Sequence, residues 1–111
     1  MFLDFSSIPE VAVSHFKGGQ GQALVRRFED DQGKILILTL PAGSTIGHHV
    51  HKDSFEVMHF LSGEGVCTDD GEAVAKSEQN AKNSCPPGHS HSVVNTGAEP
   101  MVILGVVPNV K

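Results

Sequence analysis

Short apolar runs separated by turns rich in glycine, proline and aspartate follow one another along most of this chain. Apolar runs of about four to eight residues bounded by such turns are typical of β-strands, and no stretch shows the longer period of a helix. We expect eight strands, at Ala23–Glu29, Lys34–Leu40, Phe55–Leu61, Gly65–Asp69, Glu72–Lys76, Lys82–Cys85, Ser90–Asn95 and Met101–Val107. The pattern predicts an all-β fold, either a jelly roll or a small sandwich.

Three local patterns refine this prediction. The pair Asp70-Gly71 predicts a two-residue hairpin. Alternation in Phe55–Leu61 places Glu56, Met58 and Phe60 on one face of their strand. Residues 1–17 carry the weakest pattern, and we expect at most one turn there.

The segment Lys34–Leu40 is almost continuously apolar. Strands of this kind are covered on both faces. One face meets the domain core, and in so small a domain the other needs a second layer. Together with the apolar Met101–Val107, this strand predicts a subunit interface and therefore a homodimer.

Composition narrows the class of protein. The 111 residues suit one domain, and the formal charge of −5 comes with no basic cluster beyond Arg26-Arg27, so nucleic acid is not an expected partner. No apolar run reaches the roughly 18 residues that span a bilayer, so no membrane association is expected. Met1–Asp4 lacks the basic start of a signal peptide, and Cys67 and Cys85 are too few for a disulfide scaffold. We therefore expect a cytoplasmic protein with free thiols.

Seven histidines in so short a chain suggest a metal. His49 and His51 are two residues apart, so on a strand both project from the same face. Glu56 follows them, and His91 offers a third imidazole. Nitrogen and carboxylate oxygen donors suit a divalent Fe, Mn, Ni, Co or Zn ion, and we expect one such transition metal in each subunit.

The spacing of these residues resembles the two motifs of the cupin superfamily. The first motif, G-x5-H-x-H-x(3,4)-E-x6-G, matches Gly43, His49, His51, Glu56 and Gly63. The second motif, G-x5-P-x-G-x2-H-x3-N, matches Pro86, Gly88, His91 and Asn95, with Asn80 in place of its first glycine. The resemblance covers roughly residues 23 to 107, which is nearly all of the chain that shows a readable pattern.

The resemblance implies a double-stranded β-helix, a jelly-roll barrel with a metal inside. It implies that His49, His51, Glu56 and His91 are the ligands and leave open coordination positions for water or substrate. We assign residues 23–111 to the barrel domain and residues 1–22 to an N-terminal segment, for which a part in the dimer contact is one interpretation.

Other residues have two interpretations each. Met58 and Phe60 are expected to line the inner cavity, or else to be ordinary barrel core. Cys85 is expected at the pocket, with a small buried apolar side chain as the alternative. His89, two residues before His91, is the candidate acid or base, with a surface position as the alternative. His48 and His59 are expected to point outward.

These residues support two classes of function. One is a metal-dependent enzyme acting on a small polar molecule, with dioxygenase, isomerase or lyase chemistry. The other is a non-catalytic module that binds a small molecule, such as a sugar-like ligand, at the metal. A purely structural metal is disfavoured by the open coordination positions. The sequence leaves the reaction and the native metal open.

Overall fold

A computed structural model describes residues 2–50, 55–70, 72–77, 82–86 and 88–109 of the protein. At residues 72–77, 82 and 83 it describes only the backbone. The described residues form ten β-strands. The strands are β1 (Val11–Ser14), β2 (Gln22–Asp30), β3 (Gly33–Leu40), β4 (Thr45–Val50), β5 (Glu56–Ser62), β6 (Gly65–Asp69), β7 (Glu72–Ser77), β8 (Lys82–Cys85), β9 (Ser90–Asn95) and β10 (Met101–Pro108). Two short 3₁₀ helices lie at Phe5–Ser7 and Phe16–Gly18.

The strands form two antiparallel sheets. The larger sheet has the order β1-β2-β3-β10-β5-β8, and the smaller has the order β4-β9-β6-β7. From β3 onward the chain crosses from one sheet to the other at every connection except the β6–β7 hairpin, and the two inner faces enclose the core. The predicted all-β jelly-roll barrel is confirmed. Within the described residues, no helix has the length and apolar character that crossing a membrane requires.

All eight predicted strands are present, each within one residue of its expected ends. The expectation of at most one turn in residues 1–17 is wrong, because β1 pairs with β2 from Val11↔Val25 to Ser14↔Gln22. Its side chains are mostly exposed, so it lacks the apolar alternation that marks a strand in sequence. β1 is held as a strand by backbone hydrogen bonds to β2, which satisfy the N–H and C=O groups that face β2. β4, which carries His49, was not among the eight predicted strands.

Alternation decides which residues enter the core. In β5, Glu56, Met58 and Phe60 are buried, while Val57 and His59 are more exposed, as predicted. In β3 the same rule buries Leu36, Leu38 and Leu40. The core is formed by such inward positions from both sheets, namely Ala23, Val25, Leu36, Leu38, Leu40, Ile46, Met58, Phe60, Cys67, Val93, Met101 and Ile103.

Several residues of the two motifs have a structural role. Gly63 has a φ of +86°, and a Cβ there would lie 2.7 Å from the Met101 Cα, so the turn after β5 needs glycine. The buried Asn95 side chain donates to Leu40 O and Glu99 O and accepts from Gly97 N. Asn95 therefore holds the ends of three segments together and satisfies buried backbone groups that would otherwise lack partners.

Candidate metal centre

Two neighbouring strands of the smaller sheet and one strand of the larger sheet bring His49, His91 and Glu56 together. His49 on β4 and His91 on β9 are register partners, so their side chains leave the smaller sheet on the same side. Glu56 is the first residue of β5 in the larger sheet and points inward. The three side chains meet between the sheets, although 35 positions of sequence separate Glu56 from His91.

The distances between their donor atoms suit one ion. His91 Nε2 lies 2.9 Å from His49 Nε2 and 2.8 Å from Glu56 Oε1, and His49 Nε2 lies 3.7 Å from the same oxygen. The circle through these three atoms has a radius of about 1.9 Å, below the roughly 2.1 Å of a bond from a transition metal to nitrogen or oxygen. A single point can therefore lie at bonding distance from all three. Two imidazoles and a carboxylate fit a divalent transition metal by donor type as well.

The surroundings orient these side chains. His49 Nδ1 lies 2.7 Å from Gly47 O, so the proton is assigned to Nδ1 and the Nε2 lone pair faces Glu56. His91 is fully buried and Glu56 is 8% exposed. A Cβ on Gly105 of β10 would lie 3.1 Å from Glu56 Oε2, so this glycine leaves room for the carboxylate. Buried ionisable groups of this kind are typical of functional sites.

A cavity of about 50 Å³ adjoins His49 and Glu56, with room for a few water molecules or a ligand of similar size. Its walls are largely apolar, from Phe16, Val25, Leu36, Leu38, Ile46, Met58, Ile103 and Val107. Three cations, Lys17, Arg27 and Lys34, also line it, and Glu56 is its one acidic residue among the described lining. This excess of positive charge favours an anion.

The neighbouring charges affect the pKa of Lys34. Burial, together with the charges of Lys17 and Arg27, lowers the pKa of Lys34 from its usual value, and Glu29 and Glu56 oppose that change. Arg27 is bonded to Glu29 through Nε, at 3.1 Å, and through Nη2. The Arg27 charge is therefore partly neutralised, whereas Lys17 and Lys34 form no ion pair within the described part of the chain.

Comparison with known proteins agrees with this geometry. Residues 36–107 match the cupin domain family. The chain belongs to the cupin family. An oxalate-binding protein of Thermotoga maritima is 31% identical over 115 residues, which cover 96% of this chain and 93% of that protein.

Solved structures extend the comparison. A Thermotoga maritima protein described as a predicted oxalate decarboxylase superposes with a TM-score of 0.92 at 28% identity, covering 99% of this cupin and 100% of that chain. A cupin domain from Schizosaccharomyces pombe superposes with a TM-score of 0.78 at 15% identity, covering 98% of this chain and 74% of the other. The similarity to the Schizosaccharomyces pombe domain concerns the fold alone.

Of the four ligands expected for this cupin, the structure brings His49, Glu56 and His91 together. His51 and Asn80 lie outside the described residues. Met58 lines the cavity. Phe60 is 1% exposed and packs in the core rather than against the cavity, and Cys85 is fully buried as the register partner of Glu56.

His89 is placed away from these groups. Its side chain is half exposed and its Nδ1 is bonded to Asp70 Oδ2, next to the hairpin between β6 and β7. The Ser90 backbone N–H and the His89 side chain lower the pKa of Asp70. His89 is not among the described residues that line the cavity, and its role as an acid or base stays a prediction.

Two cavity residues, Lys17 and Lys34, were not among the site residues predicted from the sequence. Lys34 has the inward parity of Leu36 and Leu38, and a lysine at an inward position of an apolar strand is a signal that was available. Lys17 lies in a glycine-rich stretch without periodicity, and nothing local marks it as a cavity residue. Only the packing of this loop against β4 shows its position.

Proposed function

We propose that this cupin binds a small carboxylate anion at a divalent transition metal held by His49, His51, Glu56 and His91. The observation that carries the proposal is the convergence of three of these side chains beside a small cavity with an excess of cationic residues. The metal, when bound, supplies positive charge and open coordination positions for carboxylate oxygens.

The cavity favours this ligand class over a sugar-like one. A volume of about 50 Å³ suits a molecule of a few heavy atoms, which is smaller than a sugar. Apolar walls give few hydrogen-bond partners for hydroxyl groups, whereas Lys17 and Lys34 attract negative charge. The 31% identical relative is named as an oxalate-binding protein, which supports oxalate as the first ligand to test.

Titration calorimetry with oxalate tests the proposal. The protein is stripped of metal with a chelator and then reloaded in turn with Mn, Fe, Co, Ni or Zn. We expect oxalate to bind the reloaded protein and to bind the stripped protein far more weakly. Equal binding to both, or binding of glucose in preference to oxalate, would contradict the proposal.

Lyase chemistry at the same site is the second candidate. It is supported by the 28% identical structure described as a predicted oxalate decarboxylase. Oxalate and one proton give carbon dioxide and formate, so formate release from the metal-loaded protein measures it directly. Oxygen uptake and aldose–ketose interconversion, measured in parallel, test the dioxygenase and isomerase alternatives. Ligand binding without any product would assign the protein as a binding module.

The outer face of the larger sheet supports a homodimer. Ile35 and Ile37 on β3 lie beside Val106 and Leu104 on β10, and all four are only partly buried. A continuous apolar face of this kind is commonly an interface. Size-exclusion chromatography with light scattering should give twice the 11.8 kDa chain mass, and Leu104→Glu should give the monomer. A monomeric wild-type protein would contradict the dimer.

A further inference from the structure

We propose that Lys34, with Lys17 from the loop after β1, binds the second carboxylate of a small dicarboxylate whose first carboxylate lies at the metal. This inference rests on the proposed function and adds to it the residues that select a dianion. Through Lys17, it gives the N-terminal segment, residues 1–22, a part in ligand recognition, and both lysines lie outside residues 36–107, which match the cupin domain family.

Lys34 is placed for this role by β3. It is the first inward position of the strand, followed towards the core by Leu36 and Leu38, and Val107 of β10 is its register partner. Its side chain is partly buried and lines the same cavity as His49 and Glu56. A partly desolvated ammonium in apolar surroundings is costly unless an anion partners it.

The neighbouring acidic residue is already engaged. Glu29 is the register partner of Lys34 on β2, but its Oε1 accepts from the Arg27 guanidinium. Glu56 faces His49 and His91. Within the described residues, the Lys34 ammonium therefore has no ion-pair partner, and a bound carboxylate would supply one.

Lys17 reaches the cavity through an unusual backbone. It has a φ of +54°, in the left-handed region that side-chain-bearing residues seldom adopt. The loop lies directly on β4, since a Cβ on Gly47 would lie 2.1 Å from Lys17 O, and one on Gly19 would lie 2.1 Å from Thr45 O. Two facing glycines thus let the loop approach the strand that carries His49. Strain held in place by tight packing is common where a side chain serves a site.

The geometry defines the ligand class. One positive pole is the metal position at His49, Glu56 and His91, and the other is the lysine pair on the same cavity. A short dicarboxylate satisfies both poles across the apolar walls. A monocarboxylate satisfies only the metal, and a neutral molecule satisfies neither. The lysines should therefore set the preference for a dianion without holding the metal.

Single and double variants, Lys34→Met and Lys17→Met, test this inference. Affinities of the metal-loaded proteins for oxalate and for acetate are measured by calorimetry at roughly physiological salt, where distant charges are screened. We expect about a tenfold or greater loss of oxalate affinity for Lys34→Met, because a hydrogen bond to a charged group is lost. A smaller loss is expected for Lys17→Met, and acetate affinity should stay within about twofold to threefold.

Controls separate this role from a structural one. Lys76→Met removes the same charge from β7 in the other sheet and should leave oxalate affinity unchanged, while Lys34→Arg should keep most of it. Metal content, measured by elemental analysis, should be the same in all variants. Thermal melting confirms that each variant is folded.

Three outcomes would contradict either the lysine assignment or the proposed function. Unchanged oxalate affinity in the double variant would overturn the lysine assignment and leave the proposed function standing. Equal losses for oxalate and acetate would show that the lysines do not read the second carboxylate. Failure of the wild-type, metal-loaded protein to bind either anion would reject the proposed function itself.

Discussion

The two ends of the barrel interior differ although the same strands form both. At one end, Leu40, Phe60 and Met101 are at most 1% exposed and fill the space between the sheets. At the other end, the inward positions of β3 and β5 are Lys34 and Glu56, and β10 carries Gly105 before the buried Val107. Along β3 and β5, large apolar side chains thus give way to charged side chains, and β10 has a glycine beside the Glu56 carboxylate.

This contrast shows how the barrel separates stability from chemistry. The packed end supplies apolar burial without titratable groups, and Asn95 satisfies the backbone there. The cavity end has less packing and concentrates imidazole, carboxylate and ammonium groups. Local departures from good core packing are expected where a protein binds its ligand. Substitutions at the two ends should therefore affect different measurements.

The largest effect on folding is expected from Leu40→Ala at the packed end. Leu40 is fully buried, so its truncation should cost about 2–5 kcal/mol of the free energy of unfolding. Chemical denaturation measures this loss. Metal content of the folded variant should equal that of the wild type, and a variant that loses metal while keeping its stability would contradict the separation of the two ends.

His91→Gln should have the opposite pattern. Loss of a direct ligand should reduce metal affinity by more than the 10- to 100-fold typical of residues that only support a ligand. Metal titration monitored by competition with a chelating dye measures the change. His59→Gln, on the outer side of β5, is the matched control and should bind metal normally. Full metal loading of His91→Gln would remove His91 from the site.

Gly105→Ala should have a moderate effect. The added Cβ would lie 3.1 Å from both Glu56 Oε2 and Leu36 Cδ1, so the carboxylate must shift by a few tenths of an ångström. We expect roughly tenfold weaker metal binding with the fold retained. Gly97→Ala brings a Cβ equally close, 3.0 Å, to the Glu64 side chain, and it should change neither metal affinity nor melting temperature. Equal behaviour of the two variants would argue against a special role for Gly105.

The smallest effect concerns the two thiols. Burial, with Asp69 for Cys67 and Glu56 for Cys85, raises the pKa of each thiol to about 11. Both should stay protonated and react slowly with iodoacetamide at pH 8, because the thiolate is the nucleophile. The contribution of the thiols to stability should be constant below their ordinary pKa of about 9 and fall as pH rises towards 11, since the unfolded thiols ionise first. Rapid alkylation of the folded protein at pH 8 would contradict this assignment.

Much of the fold follows from the sequence because local patterns encode it. Turn residues mark the ends of the strands, and alternation tells which side chains share a face, as in Glu56, Met58 and Phe60. β1 was missed because its side chains are exposed, so its pairing with β2 leaves no apolar pattern. Parity also gives no position along the barrel axis, which is why it did not separate Met58 at the cavity from Phe60 in the core.

The sequence by itself determined eight of the ten described strands, the inward face of β5 and the residue types of the candidate metal centre, because those depend on neighbours in the chain and on motif spacing. Only the tertiary structure decided that Lys17 and Lys34 share a cavity with Glu56, that His89 faces Asp70, and that Gly105 makes room for a carboxylate. These contacts join strands distant in sequence, and their meeting depends on how the two sheets close on each other.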